Sequence, residues 1–132
     1  MPLCDIQTNI DNGDISKEFV LQLGQIISHH TSGKAATVRV QAGVRMFMGA
    51  GPASAPLMLI QLHGGFTDGD TNKQICEALI QCSTKELGIR EDRISLVFHY
   101  LPPTHVGWSG GRLVADVLPE TRLKQVMGGA DS

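Results

Sequence analysis

The chain repeats one pattern, strand then helix then strand, and this repeat limits its possible folds more than any other feature. Residues 3–8, Leu3-Cys4-Asp5-Ile6-Gln7-Thr8, alternate as a strand does. After a polar turn at 9–14, Ile15, Phe19, Leu23, Ile26 and Ile27 recur at helical spacing as far as His30. Asp14 or Ser16 can cap that helix, and Gly33 suits its exit. Residues 37–42 alternate again as a strand, and a Gly/Ala/Pro-rich loop at 49–55 closes the first half. Pro56 opens the second. Residues 57–62 are an apolar run suited to a buried strand, His63-Gly64-Gly65 breaks it, and 67–71 form a turn. Ile75, Leu79, Cys82 and Leu87 mark a second helix ending at Gly88, and a connector at 89–93 leads into a strand at 94–100.

Each half is therefore a βαβ unit, whose crossover favours parallel strands and a right-handed connection. The fold class this predicts is α+β: two βαβ repeats forming a four-stranded sheet with two helices on one face. One chain has no third layer for the other sheet face, and oligomerisation through that face is the economical cover. The chain's end is less regular. Residues 101–105 form a loop, Val106-Gly107-Trp108 pair briefly with a sheet edge, Ser109-Gly110-Gly111 turn, and 112–118 form another short strand. From Pro119 the chain is polar, with at most a turn or two of helix, and its end frays.

Several function classes fall away on composition. With 132 residues the chain is a single domain with enough core to fold without staples. The formal net charge of −2 leaves no basic footprint for nucleic acid. No apolar run approaches the ~20 residues that span a bilayer, and no secretory signal opens the chain. Three cysteines, Cys4, Cys76 and Cys82, are odd in number and unclustered, which reads as reduced thiols in a cytoplasmic protein. His63, His99 and His105 lack ligand spacing, and His29 and His30 adjoin too closely to share a metal, so no metal site is read.

Pro2 directly follows Met1 and heads the first strand. Removal of Met1 would leave a secondary amine fixed at the end of a rigid element. Such an amine titrates near ~8, against ~10.4 for lysine, and burial or a nearby cation lowers it further. It is suited to act as a general base near neutral pH.

The set Pro2, Ser32-Gly33-Lys34, Asp92-Arg93-Ile94 and Val106-Gly107-Trp108, in this order and spacing over roughly residues 2–113, resembles the macrophage migration inhibitory factor family. The resemblance implies a MIF-like domain over 1–114, with 115–132 as a partly flexible extension. It further implies a homotrimer whose three sheets line a central barrel. It implies a cofactor-independent isomerase of the phenylpyruvate or dopachrome tautomerase type, acting on a small aromatic keto acid. The alternative is a cytokine-like or regulatory binding protein with weak or no turnover, reaching a cell-surface receptor if secreted. The family includes proteins secreted without a signal peptide, so the resemblance adds that route to the cytoplasmic reading.

Carried over by position, Pro2 matches the catalytic proline and Lys34 the lysine that holds the substrate carboxylate. Gly65 matches a backbone donor for the developing enolate, with His63, Gly64 and Phe66 as the other candidates. Phe66, Val106 and Trp108 would wall the pocket for an aromatic group. The sequence also departs from the family. Ser95 and Val97 stand where the family has a tyrosine and an asparagine that line the neighbouring subunit's pocket. Strand alternation puts His99 on the same face as these two, where it can replace some of the lost polarity. Met48-Gly49-Ala50-Gly51-Pro52 replaces the usual glycine-rich loop. Leu57 and Ile60 replace a cysteine pair, which removes the basis for a thiol oxidoreductase activity.

Overall fold

A computed structural model describes residues 2–33, 35–49, 51–52 and 54–117. The first half comprises β1 (Leu3–Thr8), α1 (Lys17–His30) and β2 (Thr37–Gln41). The second comprises β3 (Met58–Gly64), α2 (Gly69–Leu87) and β4 (Ile94–Tyr100). Strands run parallel within each half, and β1 meets β3 antiparallel in the middle, giving the order β2-β1-β3-β4.

The helices begin and end where local chemistry allows. Ser16 Oγ accepts from the Phe19 N–H at 3.1 Å and caps α1; the other candidate, Asp14, lies in a one-turn 3-10 helix. Asp68 caps α2 by accepting from the Thr71 N–H and Oγ at 2.9 and 2.8 Å, and Gly88 ends it with φ 69°. The exit of α1 is less comfortable. The Gly33 N–H returns to the Ser28 carbonyl at 2.8 Å, and this closure requires Ser32 itself to adopt φ 60°.

Alternation along the strands divides the sheet into two faces. Cys4, Ile6 and Thr8 of β1, with Met58, Ile60 and Leu62 of β3, are buried on the helix side. They meet Phe19, Leu23 and Ile27 of α1 and Ile75 and Leu79 of α2 in one core. Full burial of each large aliphatic contributes roughly 1.5–3 kcal/mol, so this layer holds both helices. The opposite face is a lattice of polar pairs. Arg39 Nε donates to Asp5 Oδ1 at 2.7 Å, Gln7 Nε2 to Gln41 Oε1 at 2.8 Å, and His99 lies 2.9 Å from Gln61 Oε1. His63 stacks on His99 with ring centroids 4.5 Å apart. Leu3, Leu59 and Val97 are the apolar residues of this face; most of the others are polar and find partners across the strands.

Arg93 is 5% exposed. Its guanidinium donates to the carbonyls of Pro56 and Ala55 at 2.9 and 3.2 Å, tying the loop before β3 to the start of β4. Three local expectations are corrected. β3 does not break at His63 but runs through Gly64, because both residues keep their ladder partners on β4. Gly107–Trp108 (β5) pairs with Arg112–Leu113 (β6) around the Ser109-Gly110-Gly111 turn, and not with the edge of the main sheet. After β6 comes a single helical turn, α3 (Val114–Val117), where a longer strand was expected. The expected fraying of the C-terminus concerns residues 118–132, outside those described.

Replacing Ser32 with glycine removes the steric cost of a left-handed L-residue. Ser32→Gly should stabilise the protein by about 0.5–1 kcal/mol, read as a higher urea midpoint at unchanged slope.

Candidate active site

Pro2 is buried at the head of β1, at the end of the sheet where β3 and β4 finish and β2 begins. The antiparallel register sets Leu3 opposite His63. One step further along, Pro2 falls level with Gly64, and Gly64 in turn pairs with Tyr100 of β4. A proline suits this place because its carbonyl still accepts a ladder bond, from the Thr37 N–H at 3.1 Å, while its nitrogen has no N–H to satisfy.

The direction of the Gly65 N–H follows from a hydrogen bond on its own peptide group. The Gly64 carbonyl points to β4, where it accepts from the Leu101 N–H at 2.7 Å. The described peptides are all trans, so the N–H of that peptide, Gly65's, points the opposite way. It faces the start of β1. Beyond Gly65 the chain turns sharply: the Thr67 N–H closes onto the Gly65 carbonyl at 3.0 Å, a γ-turn centred on Phe66.

Leu101 also carries the second apolar cluster, in which Val106 and Trp108 pack with it on Val114. Both predicted wall residues are thus gathered beside the last residue of β4. Phe66 is placed differently: it is 4% exposed and joins the main core, its ring 5.4 Å from Phe98. It anchors the turn from beneath. His63 is level with Leu3 but projects to the open face, 3.9 Å from Asp5 Oδ2. Ser95 and Val97 lie on the same open face. Ser95 pairs with Leu59, five residues before the Gly64–Tyr100 level, which at ~3.3 Å per residue is about 16 Å along the strand. Within one chain Ser95 does not reach Pro2. Lys34 lies outside the described residues. Its flanks are Gly33 and the segment 35–37, and the latter delivers Thr37 to the Pro2 carbonyl.

Cys4, two residues from Pro2, is no rival nucleophile, because burial first and the neighbouring Asp5 second push its thiol up to about 12. A cleft of about 260 Å³ opens between β1 and β2 on the open face, lined by Leu3, Cys4, Asp5, Thr37 and Arg39. A larger groove of about 520 Å³ lies between α1 and α2, lined among others by Gln22, His30, Cys82 and Lys85. It is on the outer helical surface and shares no residue with the Pro2 end. Among the described residues no group of three or more His, Cys, Asp or Glu is placed to hold a metal, and no helix is long and apolar enough to cross a membrane.

Sequence reasoning missed Leu101, Thr37 and Asn72, whose contacts orient the site. The first two act through backbone N–H groups that any residue but proline supplies, so no residue-type signal marked them. Asn72 stands in the first turn of α2, four residues after its cap, where a side-chain amide can reach back to the preceding loop.

Two parallel βαβ halves joined antiparallel, with a proline heading the first strand beside a glycine turn, define a MIF-like α+β fold. The sequence profile of the family described as macrophage migration inhibitory factor matches residues 1–114, and the chain belongs to that family. It is 29% identical over 114 residues to the MIF-like protein mif-2 of Caenorhabditis elegans, covering 83% of this chain and 92% of that one. It is 26% identical over 113 residues to the D-dopachrome decarboxylase-B of Xenopus laevis, covering 83% and 95%. Among solved structures, the macrophage migration inhibitory factor of Oncomelania hupensis superposes with a TM-score of 0.76 at 18% identity, covering 83% of this chain and 80% of that chain.

The cap beside this site titrates. The Thr71 backbone N–H first, and its hydroxyl second, hold the Asp68 carboxyl below the usual carboxylate range. A lowered folded pKa adds stability above the unfolded value, and this is lost as pH falls through the folded one. Asp68→Asn should therefore flatten the fall in unfolding free energy below about pH 4, measured by urea titrations from neutral into acidic pH.

Proposed function

We propose that the protein, once Met1 is removed, is a cofactor-independent keto–enol tautomerase for small aromatic α-keto acids, with Pro2 as its base. The observation that supports this reading is the Gly65 N–H, which faces the start of β1, where Pro2 is buried. Loss of Met1 would turn an acylated imide nitrogen into a basic amine. Amine and amide donor would then face one small volume from two strands.

Enolisation uses both groups. The Pro2 nitrogen takes the α-proton, the C–H electron pair becomes the new carbon–carbon double bond, and the carbonyl oxygen gains the negative charge. Gly65 N–H donates to that oxygen as the charge develops, the moment when a fixed donor helps most. The prolinium returns the proton to oxygen, or to carbon in the reverse direction. Lys34, by family likeness, holds the substrate carboxylate and by its charge favours the neutral amine. Val106 and Trp108, which pack with Leu101 on Val114, are the groups that would wall an aryl ring. The relative from Xenopus laevis is named a D-dopachrome decarboxylase, which supports a small carboxylate as the substrate.

Cell-made protein lacking Met1 should turn over phenylpyruvate, and protein retaining Met1 should not. Pro2→Gly should lower kcat by replacing a rigid secondary amine with a flexible primary one. Lys34→Ala should cost roughly tenfold to a hundredfold in kcat/KM, the worth of one charge-assisted contact, and move the acidic limb of the pH profile upward. Equal rates with and without Met1 would remove Pro2 from the reaction. An inactive protein lacking Met1 leaves the family's binding-protein role, cytokine-like or regulatory.

We propose also that the active form is a homotrimer, because Ser95 and Val97 cannot reach the Pro2 of their own chain. Light scattering should give about three times the 14.2 kDa chain mass. A monomer at micromolar concentration would exclude a pocket built between subunits.

A further inference from the structure

The turn that aims the Gly65 N–H is held at three successive carbonyls. Gly64 O accepts from Leu101 and Gly65 O from Thr67, and Phe66 O accepts from the Asn72 side chain, Nδ2 to O, at 3.1 Å. The first two donors are backbone groups. The third is a side chain, and it comes with an unpaired atom: Asn72 Oδ1 is shut off from solvent and has no hydrogen-bond partner. Among the described residues only one other side-chain atom, Thr84 Oγ1, shares that condition. Thr84 stands one turn before the end of α2, remote from Pro2.

Turning the Asn72 amide over would not relieve the unpaired oxygen. It would set two acceptors, Oδ1 and Phe66 O, against each other, since a carbonyl cannot donate. The orientation is therefore fixed by Phe66 O alone. A buried acceptor without a partner disfavours the folded state, and an apolar side chain of similar shape would avoid it. The fold keeps the asparagine where its donor reaches one particular carbonyl. α2 is well placed to hold that donor still, because the Asn72 N–H bonds the Asp68 carbonyl at 2.9 Å and Asp68 caps the helix.

We infer that Asn72 is a positioning residue for the backbone donor of the Pro2 site. By holding the Phe66 carbonyl against α2 it fixes the γ-turn and keeps the Gly65 N–H on the developing enolate oxygen. This rests on the tautomerase reading and adds a residue that touches neither substrate nor base. Its effect is kinetic by nature. A donor that drifts by a fraction of an ångström still permits binding through the carboxylate and the aryl wall, but it loses hold on the transition state.

Asn72→Leu keeps the volume, removes the donor to Phe66 O and removes the unpaired oxygen. In protein lacking Met1 it should lower kcat roughly tenfold to a hundredfold, with KM for phenylpyruvate within about twofold and the thermal midpoint little changed. Asn72→Ala should show the same kinetic split at somewhat lower stability. Amide hydrogen exchange gives a readout that needs no turnover: the Thr67 N–H, closed onto Gly65 O, should exchange at least about tenfold faster in both variants. Unchanged kcat in Asn72→Leu beside an active wild type would overturn the inference while sparing the tautomerase. A fall in kcat that merely tracks lost folded protein would do the same. A wild type without turnover would remove the reaction, and unchanged Thr67 exchange would then show that Asn72 does not hold the turn either.

Discussion

The antiparallel pairing of β1 with β3 is the constraint on which the rest of the structure depends. Each βαβ half could form its own parallel pair, but neither could bury both faces of its helix alone. The central ladder, Leu3 with His63 through Thr8 with Met58, joins the halves so that α1 and α2 lie side by side over one core. It also sets which residues meet at the sheet's end. A slip of one residue would turn Cys4, Ile6, Ile60 and Leu62 out of the core, so burial holds the register firmly. Pro2 inherits its place beside Gly64 from that same register. The apolar pattern that folds the chain therefore also aligns Pro2 with the Gly64–Gly65 turn.

The two sheet faces answer different demands. The helix side is filled by aliphatic groups at 0–1% exposure along β1 and β3. The open side carries Asp5, Arg39, Gln61, His63 and His99 in cross-strand contact. The Arg39–Asp5 pair is well exposed and worth little in isolation. The alternation nevertheless makes this face tolerable in water and equally able to meet another polar surface.

Much of this was legible in the sequence because it depends on side-chain period and local signals. The apolar spacing of Phe19, Leu23 and Ile27 marked α1, and Gly88 marked the end of α2. The tandem pattern gave parallel pairs with both helices on one face. Less visible were features that arise only when distant segments meet. His63 and Gly64 looked like a strand break because glycines usually end strands, but pairing with β4 carries the strand through them. Val106-Gly107-Trp108 suggested an edge strand, yet its nearest partner is its own hairpin. Phe66 looked like a pocket wall next to a glycine pair; Phe98, thirty-two residues away, draws it into the core instead. The role of Arg93 as a clamp on the carbonyls of Ala55 and Pro56 likewise has no sequence signature, since any carbonyl can accept.

A chain start is an unusual place for a base, because chain ends tend to fray. Here the end is secured without using the Pro2 nitrogen. Pro2 is held through its carbonyl, by Thr37, and by burial beside the β3 terminus, while its nitrogen takes no part in the ladder. Before methionine removal proline leaves no backbone N–H to satisfy, and after it the nitrogen is a secondary amine held in the ring. Any other residue at this place would present a freely rotating primary amine. In the proposed reaction the ring would fix the direction of the lone pair, and Gly65, with no side chain to intrude, would let an oxygen approach its own N–H. The rigidity that makes the proline a good first residue of a strand is the same rigidity that would make its amine a directed base.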